Sequence, residues 1–323
     1  MNANVVMQAA VMRGDGRIAL ECVPVPRPGA KEVCVRLEGC GVCASNLPVW
    51  AGRPWFNYPL DPGTPGHEGW GEIAAIGDEV NDFKVGERVA LLSGRAYADY
   101  DVTSADAVAR IPANADDMLL PGEPLACAMN IFRRSQIESG QWVAIVGVGF
   151  IGALLVQLAS HAGARVIALS RRPYALEVAR QCGAAHTFPT DDKHAAIGAV
   201  RELTGGAGCE RVIEAAGEQV TLDIASAISA EGGRLMIAGY HQDGPRTVDM
   251  QQWNWRGLDV INAHERDPKV AARGLREAMD AVREGRLDPA ALLTHELPLE
   301  KLGDAFELMR TRPDGFLKAV VTM

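Results

Sequence analysis

Up to about position 120, short apolar stretches alternate with polar residues, as in Glu32 to Leu37 and Gly71 to Ile76, and glycine and proline interrupt them repeatedly. That rhythm predicts a β-rich, barrel-like region. From Pro121 to about Ala263 the rhythm changes. Gln141 to Val146 reads as a buried strand, Ala153 to Gly163 as a helix and Arg165 to Leu169 as a second strand, so the region predicts an α/β doubly wound parallel sheet. Beyond it, Val270 to Glu284 predicts a helix, Leu297 to Phe306 leads into another, and Lys318 to Thr322 reads as a last strand.

Composition narrows the partners. The chain has 323 residues, enough for a large core and two domains, and a net charge of -9 from 32 basic and 41 acidic residues. Basic residues occur as isolated pairs, Arg133-Arg134 and Arg171-Arg172, so no stripe exists to neutralise nucleic-acid or anionic-membrane phosphates. Trp142 to Ala159 is an uncharged stretch of 18 residues, the length at which a membrane span is suspected. The glycines in its middle and the β-branched residues before them argue instead for strand, turn and helix. The opening Met1-Asn-Ala-Asn-Val lacks the basic and apolar regions of a secretion signal, and a soluble, cytoplasmic protein is expected. Cys22, Cys34, Cys40, Cys127, Cys182 and Cys209 then read as reduced structural thiols.

Two segments carry chemistry. In the first, Gly39-Cys-Gly-Val-Cys43-Ala-Ser45-Asn46 is followed 24 residues after Cys43 by Gly66-His67-Glu68-Gly69-Trp70-Gly71. A thiolate, an imidazole and a carboxylate form a mixed donor set that suits a catalytic zinc with an open position. Each residue alone also suits a packed core, since cysteine is commonly buried. Glycines at 66, 69 and 71 let the backbone turn tightly around His67 and Glu68. On spacing alone the trio fits either a metal centre or a core.

The second segment is Gly147-Val-Gly149-Phe150-Ile151-Gly152, placed between the strand and the helix as a dinucleotide fingerprint requires. Where the second strand of such a unit usually ends in an acidic residue, this chain has Ser170-Arg171-Arg172. A carboxylate there would repel the extra phosphate of NADP, whereas a hydroxyl and guanidinium groups bind it, so NADP is expected over NAD. A solvated surface pair is the plainer reading of the two arginines.

These motifs resemble the zinc-containing branch of the medium-chain dehydrogenase/reductases. The resemblance also runs through Gly77, Val80, Val85-Gly-Glu-Arg-Val89, Glu123-Pro-Leu125, Val212-Ile-Glu-Ala-Ala-Gly217 and Gly233-Arg-Leu235. It implies a Rossmann domain over 121–262 and a β-rich GroES-like catalytic domain made of 1–120 and 263–323. It further implies one catalytic zinc per chain, with Cys43, His67, Glu68 and Glu123 as ligands or near neighbours. Ser45 resembles the hydroxyl that takes the substrate proton, and Lys318 a basic residue that reaches the cofactor phosphate.

Departures from the family pattern matter too. Asn46 and Pro48 stand where Asp and His often follow the cysteine; proline cannot relay a proton, and Asn46 is left to accept a hydrogen bond from His67. No cysteine lies between Cys43 and Cys127, so the structural zinc lobe of many relatives is missing. Glu68 and Glu123 resemble those of polyol enzymes. Trp50, Trp55, Phe56, Tyr58, Trp70, Tyr240-His-Gln242 and Trp253-Asn-Trp255 add aromatic groups that suit either core or stacking on a sugar ring.

The expected activity is therefore hydride transfer between a nicotinamide cofactor and a secondary alcohol or ketone on a polyol, sugar or cyclitol. The alternatives are a zinc-free NADPH-dependent quinone or enoyl reductase and a non-enzymatic NADP-binding protein. The resemblance also implies a homodimer or homotetramer joined through an edge strand near Gly233 to Ala238.

Overall fold

The computed structural model describes residues 5–323. The chain forms two compact units: Met1–Ala126 with Asp267–Gly285 and Pro289–Met323, and Cys127–Arg266 with Arg286–Asp288.

In the first unit, β1 (Val6–Gly14) and β2 (Arg17–Pro24) make an antiparallel hairpin. Asp15 and Gly16 turn it, both at positive φ (53° and 73°). Next come β3 (Glu32–Gly41), α1 (Leu47–Trp50), β4 (Gly69–Ile76), β5 (Arg88–Leu91), β6 (Tyr100–Ser104), β7 (Val108–Arg110) and α2 (Gly122–Ser135). β3 is the hub of the sheet, antiparallel to both β4 and β6. Its register shifts between Leu37 and Gly39, where any side chain on Gly39 would enter the ring of fully buried Trp70. The break between units falls inside α2 rather than at position 120, because the first turn of this helix packs on the first unit. A Cβ at Gly122 would collide with Ala90 and Leu275.

The second unit contains β8 (Trp142–Val146), α3 (Phe150–His161), β9 (Arg165–Ser170), α4 (Pro173–Gln181), β10 (His186–Pro189), α5 (Lys193–Leu203), β11 (Cys209–Glu214), α6 (Gln219–Ile228), β12 (Ser229–Ile237), α7 (Met250–Arg256) and β13 (Asp259–Asn262). Its six strands are parallel in the order β10-β9-β8-β11-β12-β13, so the order reverses between β8 and β11. Buried residues such as Ala144, Val146, Ile167, Leu169, Val212 and Leu235 read as continuous apolar runs because both faces of the sheet are covered. The segment Gly233 to Ala238 is not an edge, as had been expected; β12 is hydrogen-bonded to β11 on one side and β13 on the other.

The tail returns to the first unit with α8 (Pro268–Arg283), β14 (His295–Pro298), α9 (Leu302–Thr311) and β15 (Ala319–Thr322). α8 buries one stripe, including Leu275, Ala278, Met279 and Val282, as an amphipathic surface helix should. β15 pairs antiparallel with β3, and the sheet order is β14-β15-β3-β4-β5-β7. Phe306 on α9 stacks on Trp50 (5.6 Å between centroids) and lies edge-on to Tyr97 at 6.0 Å, which explains Trp50, one of the aromatic candidates, as packing against the core. No helix among the described residues is long and apolar enough to cross a membrane.

Residues 92–99 run directly from β5 to β6. This segment is tied down by Asp101, 4 % exposed, whose carboxylate accepts from the backbone N–H groups of Arg95 (3.0 Å) and Val102 (2.8 Å). Replacing Asp101 by Ala removes both hydrogen bonds of a buried carboxylate and is expected to cost roughly 1–3 kcal/mol of stability, read from chemical denaturation.

Candidate metal centre and dinucleotide turn

The candidate metal centre is built on the end of β3 and the start of β4. Cys43 follows β3, His67 and Glu68 precede β4, and the ligand atoms of the three lie within 4.8 Å of one another. His67 Nδ1 lies 2.9 Å from the Pro65 carbonyl oxygen. A carbonyl only accepts, so Nδ1 carries the hydrogen and Nε2 is left as the metal-binding nitrogen. The expected bond from His67 to Asn46 is not what holds the ring. Asn46 Nδ2 instead donates to the same Pro65 carbonyl (3.1 Å) and to the Tyr97 hydroxyl (3.3 Å), bracing the loop from behind.

Tyr97 is a support that sequence reasoning missed. It is fully buried, its hydroxyl donates to the Gly41 carbonyl at 3.4 Å, and its backbone N–H bonds Gly63 O at 3.1 Å while Ala96 N bonds Gly66 O at 2.9 Å. The short segment between β5 and β6 thus buttresses the loop that presents His67. A Cβ at Gly66 would collide with the backbone of Ala96 and Tyr97, which is why glycine sits there.

Glu68 is 1 % exposed and its Oε2 pairs with the Lys318 ammonium, itself 4 % exposed. Lys318 Nζ also donates to the Val42 carbonyl at 2.9 Å. This corrects the expectation that Lys318 reaches a cofactor phosphate. A buried ammonium needs a fixed counter-charge, and β15 delivers this one to Glu68. Burial pulls the Lys318 pKa down, but the charges of Glu68 and Cys43 more than reverse this and leave it raised. Gly41 gives the Glu68 carboxylate its room, since a side chain at 41 would overlap Oε2.

Glu123, in the first turn of α2, lies outside the compact donor set, though its charge acts on His67. Ser45 Oγ lies 3.2 Å from Cys43 Sγ and 3.4 Å from Asn46 Oδ1, so it stands directly against the set. Burial lowers the His67 pKa, but the hydrogen bond to Cys43 and the charges of Cys43, Glu123 and Glu68 outweigh it and push it up to about 10. The soft sulfur, the oriented nitrogen and the buried carboxylate fit zinc.

The dinucleotide turn is equally explicit. Gly147 has φ 105°, and a Cβ there would collide with Ala215 and Ala216. One at Gly152 would strike the Gly147 carbonyl. Gly149 differs: a Cβ would meet nothing within 4 Å, so packing within the protein does not require glycine there. Its bare backbone leaves open space before Phe150 and Ile151, at the start of α3, where a phosphate would approach. Ser170 ends β9 almost buried, and Arg172 extends a guanidinium to within 3.4 Å of the Val148 carbonyl, inside the same turn. Arg171 is exposed beside it.

The remaining aromatic groups divide. Trp70 is core, Tyr58 Oη bonds the Val49 carbonyl, and Trp253 Nε1 donates to Ser226 Oγ at 3.1 Å, whereas Trp55 and Trp255 are exposed.

Fold, donor set and turn together define a zinc-type dehydrogenase architecture. Residues 29–113 match the alcohol dehydrogenase GroES-like domain and residues 151–281 the zinc-binding dehydrogenase family. The chain belongs to the zinc-type medium-chain dehydrogenase family. It is 29% identical to an L-threonine 3-dehydrogenase of Bacillus subtilis (strain 168), covering 95% of this chain and 96% of that one. A sorbitol dehydrogenase of the same strain is 26% identical, covering 98% of this chain and 97% of that one. A Sinorhizobium meliloti 1021 structure described as a zinc-binding dehydrogenase bound to NADP matches with TM-score 0.85 and 25% identity, over 99% of this chain and 100% of that one.

Two outcomes follow for the metal-free protein. Lys318→Met strands a buried carboxylate and is expected to cost roughly 3–5 kcal/mol, most of it recovered in the Lys318→Met/Glu68→Gln double variant, as thermal and urea unfolding would read. Because His67 must lose its proton to bind a metal, zinc affinity is expected to rise with pH up to about 10, measured by competition with a chelator.

Proposed function

We propose that this chain is a zinc-dependent oxidoreductase that transfers hydride between NADP and a secondary alcohol, or the corresponding ketone, on a polyol, sugar or cyclitol. The observation that carries this reading is the compact Cys43, His67 and Glu68 set with the Ser45 hydroxyl against it. Bound zinc would supply Lewis acidity toward an alcohol oxygen, and bound nicotinamide would accept or return the hydride.

The chain's own residues do the rest. The Pro65 carbonyl fixes the His67 tautomer, and Lys318 holds the Glu68 carboxylate in place within the donor set. Ser45 Oγ takes the substrate proton as it gives up its own to water, and Asn46 Oδ1, which accepts a hydrogen bond from that hydroxyl, orients it. Pro48, on α1, closes the route that a histidine would have offered. Glu123 biases the site's charge without entering the compact set.

NADP is favoured by the Ser170, Arg171 and Arg172 group beside the Gly149 opening, since guanidinium groups clamp a ribose phosphate. The relative named for sorbitol, together with Glu68 and Glu123, supports a polyol-type substrate. A homodimer or homotetramer would use β13, an outermost strand of the six-stranded sheet, rather than β12.

The test is metal analysis of the freshly purified protein, NADP and NAD titrations, and a screen of polyols, sugars and cyclitols. About one zinc per chain is expected, with Cys43→Ala losing zinc and activity together. The Arg171→Ala/Arg172→Ala variant is expected to lose about tenfold or more in NADP affinity and little in NAD affinity. Careful preparations without zinc, or with activity that survives Cys43→Ala, would overturn the reading.

A further inference from the structure

Glu214, the last residue of β11, is completely buried and sits at the reversal of strand order, opposite Val146 of β8 in register. Its Oε1 accepts from Ala216 N (2.9 Å), Gly217 N (2.8 Å) and Thr221 Oγ1 (2.7 Å), so one oxygen organises the whole turn into α6. The other oxygen, Oε2, lies 3.0 Å from His241 Nε2. On the far side of the ring, Arg246 Nε donates to His241 Nδ1 at 2.9 Å. A guanidinium only donates, so Nδ1 must accept, and the proton therefore sits on Nε2 and is donated to Glu214. Arg246 closes the array by donating from Nη2 to the Gly217 carbonyl at 2.7 Å and by pairing with Asp243.

The loop after β12 is thereby fastened to the loop after β11. The two backbones are pressed together: a Cβ at Gly239 would strike Gly217 N and Glu214 Oε2, and one at Gly217 would strike Tyr240. The Glu214 turn in its turn abuts the phosphate turn, because Gly147 packs on Ala215 and Ala216.

A dinucleotide lying across this reversal puts its pyrophosphate at the start of α3 and its adenosine ribose at the end of β9. The other nucleoside must then lie toward the ends of β11 and β12. Those ends are what the Glu214, His241 and Arg246 array holds. We propose that His241 is a positioning residue for the nicotinamide half of the cofactor: it fixes the loop 239–247 as the wall against which that half rests. The assignment rests on the cofactor reading given above.

The sequence marked Tyr240-His241-Gln242 only as aromatic pocket candidates, yet His241 is tied by both ring nitrogens. Its work is mechanical. An amide can replace it, since a glutamine donates through its NH2 and accepts through its oxygen; leucine can do neither.

The experiment compares ligands that span the two halves with ligands that fill only one. NADPH and 2′,5′-ADP, and in parallel NADH and ADP, are titrated calorimetrically into the zinc-loaded wild type, His241→Leu, His241→Gln and Arg246→Met. Expected for His241→Leu and Arg246→Met is a loss of about tenfold or more for the reduced dinucleotide, with the adenosine ligand within about twofold of wild type. His241→Gln should restore dinucleotide affinity to within about threefold. Equal weakening of both ligand types would mean that the array merely supports the fold and would overturn the assignment. So would unchanged dinucleotide affinity in folded His241→Leu, or, should that variant not fold, in Arg246→Met. A wild type that binds none of the four ligands would sink the cofactor reading itself, and the assignment with it, a result separable from the other two.

Discussion

An acid and a base, Glu68 and Lys318, face each other where almost no water reaches, and the first unit is arranged around the need to keep them together. Separating them would leave a bare charge in a low-dielectric interior, which costs several kcal/mol, so the elements that carry them are effectively locked. Glu68 enters β4; Lys318 leads into β15; β3 lies between, hydrogen-bonded to both. The sheet therefore brings the last strand of the chain to the residue beside His67. Lys318 bonds the Val42 carbonyl as well, which holds the backbone just before Cys43. Thiolate, imidazole and carboxylate thus share one support, and the support is electrostatic as much as apolar.

The same logic of mutual bracing recurs on a neutral scale around His67. Pro65 O accepts from the ring and from Asn46, Asn46 leans on Tyr97, and Tyr97 donates to Gly41, whose lack of a side chain leaves space for Glu68. Tyr97 belongs to the short segment between β5 and β6. Residues 92–99 pair their backbone with the loop that carries His67 and with Asp101. In the second unit a buried carboxylate again does the organising, with Glu214 gathering two loops about the reversal of strand order. Each unit places a charged group at its functional end and satisfies it with partners from distant segments.

The glycines show how local and tertiary demands separate. Gly147 and Gly152 are required by the protein's own packing, whereas Gly149 is required by nothing inside the chain. A motif read as three equal glycines thus contains one that the protein's own packing does not require. The arginine pair divides in the same way: Arg172 is engaged with the turn at Val148, and Arg171 stays in solvent.

The strands and helices of the second unit, the β-rich character of the first, and the grouping of Cys43, His67 and Glu68 were legible from the sequence alone. Period, glycine placement and motif spacing act over a few residues, and the chemistry of a short motif is written in consecutive letters. What escaped it were pairings between remote segments. Lys318 and Val42 stand 276 positions apart, so no local pattern could assign the ammonium to Glu68 rather than to a phosphate. Asn46 was misread for a similar reason, since the Pro65 carbonyl competes for both it and His67 only once the loop has folded. The edge of the parallel sheet, the role of Tyr97 and the tethering of His241 by Glu214 and Arg246 were likewise decided by tertiary structure. A hydrogen bond or ion pair chooses its partner by distance in space, and only the packed chain sets those distances.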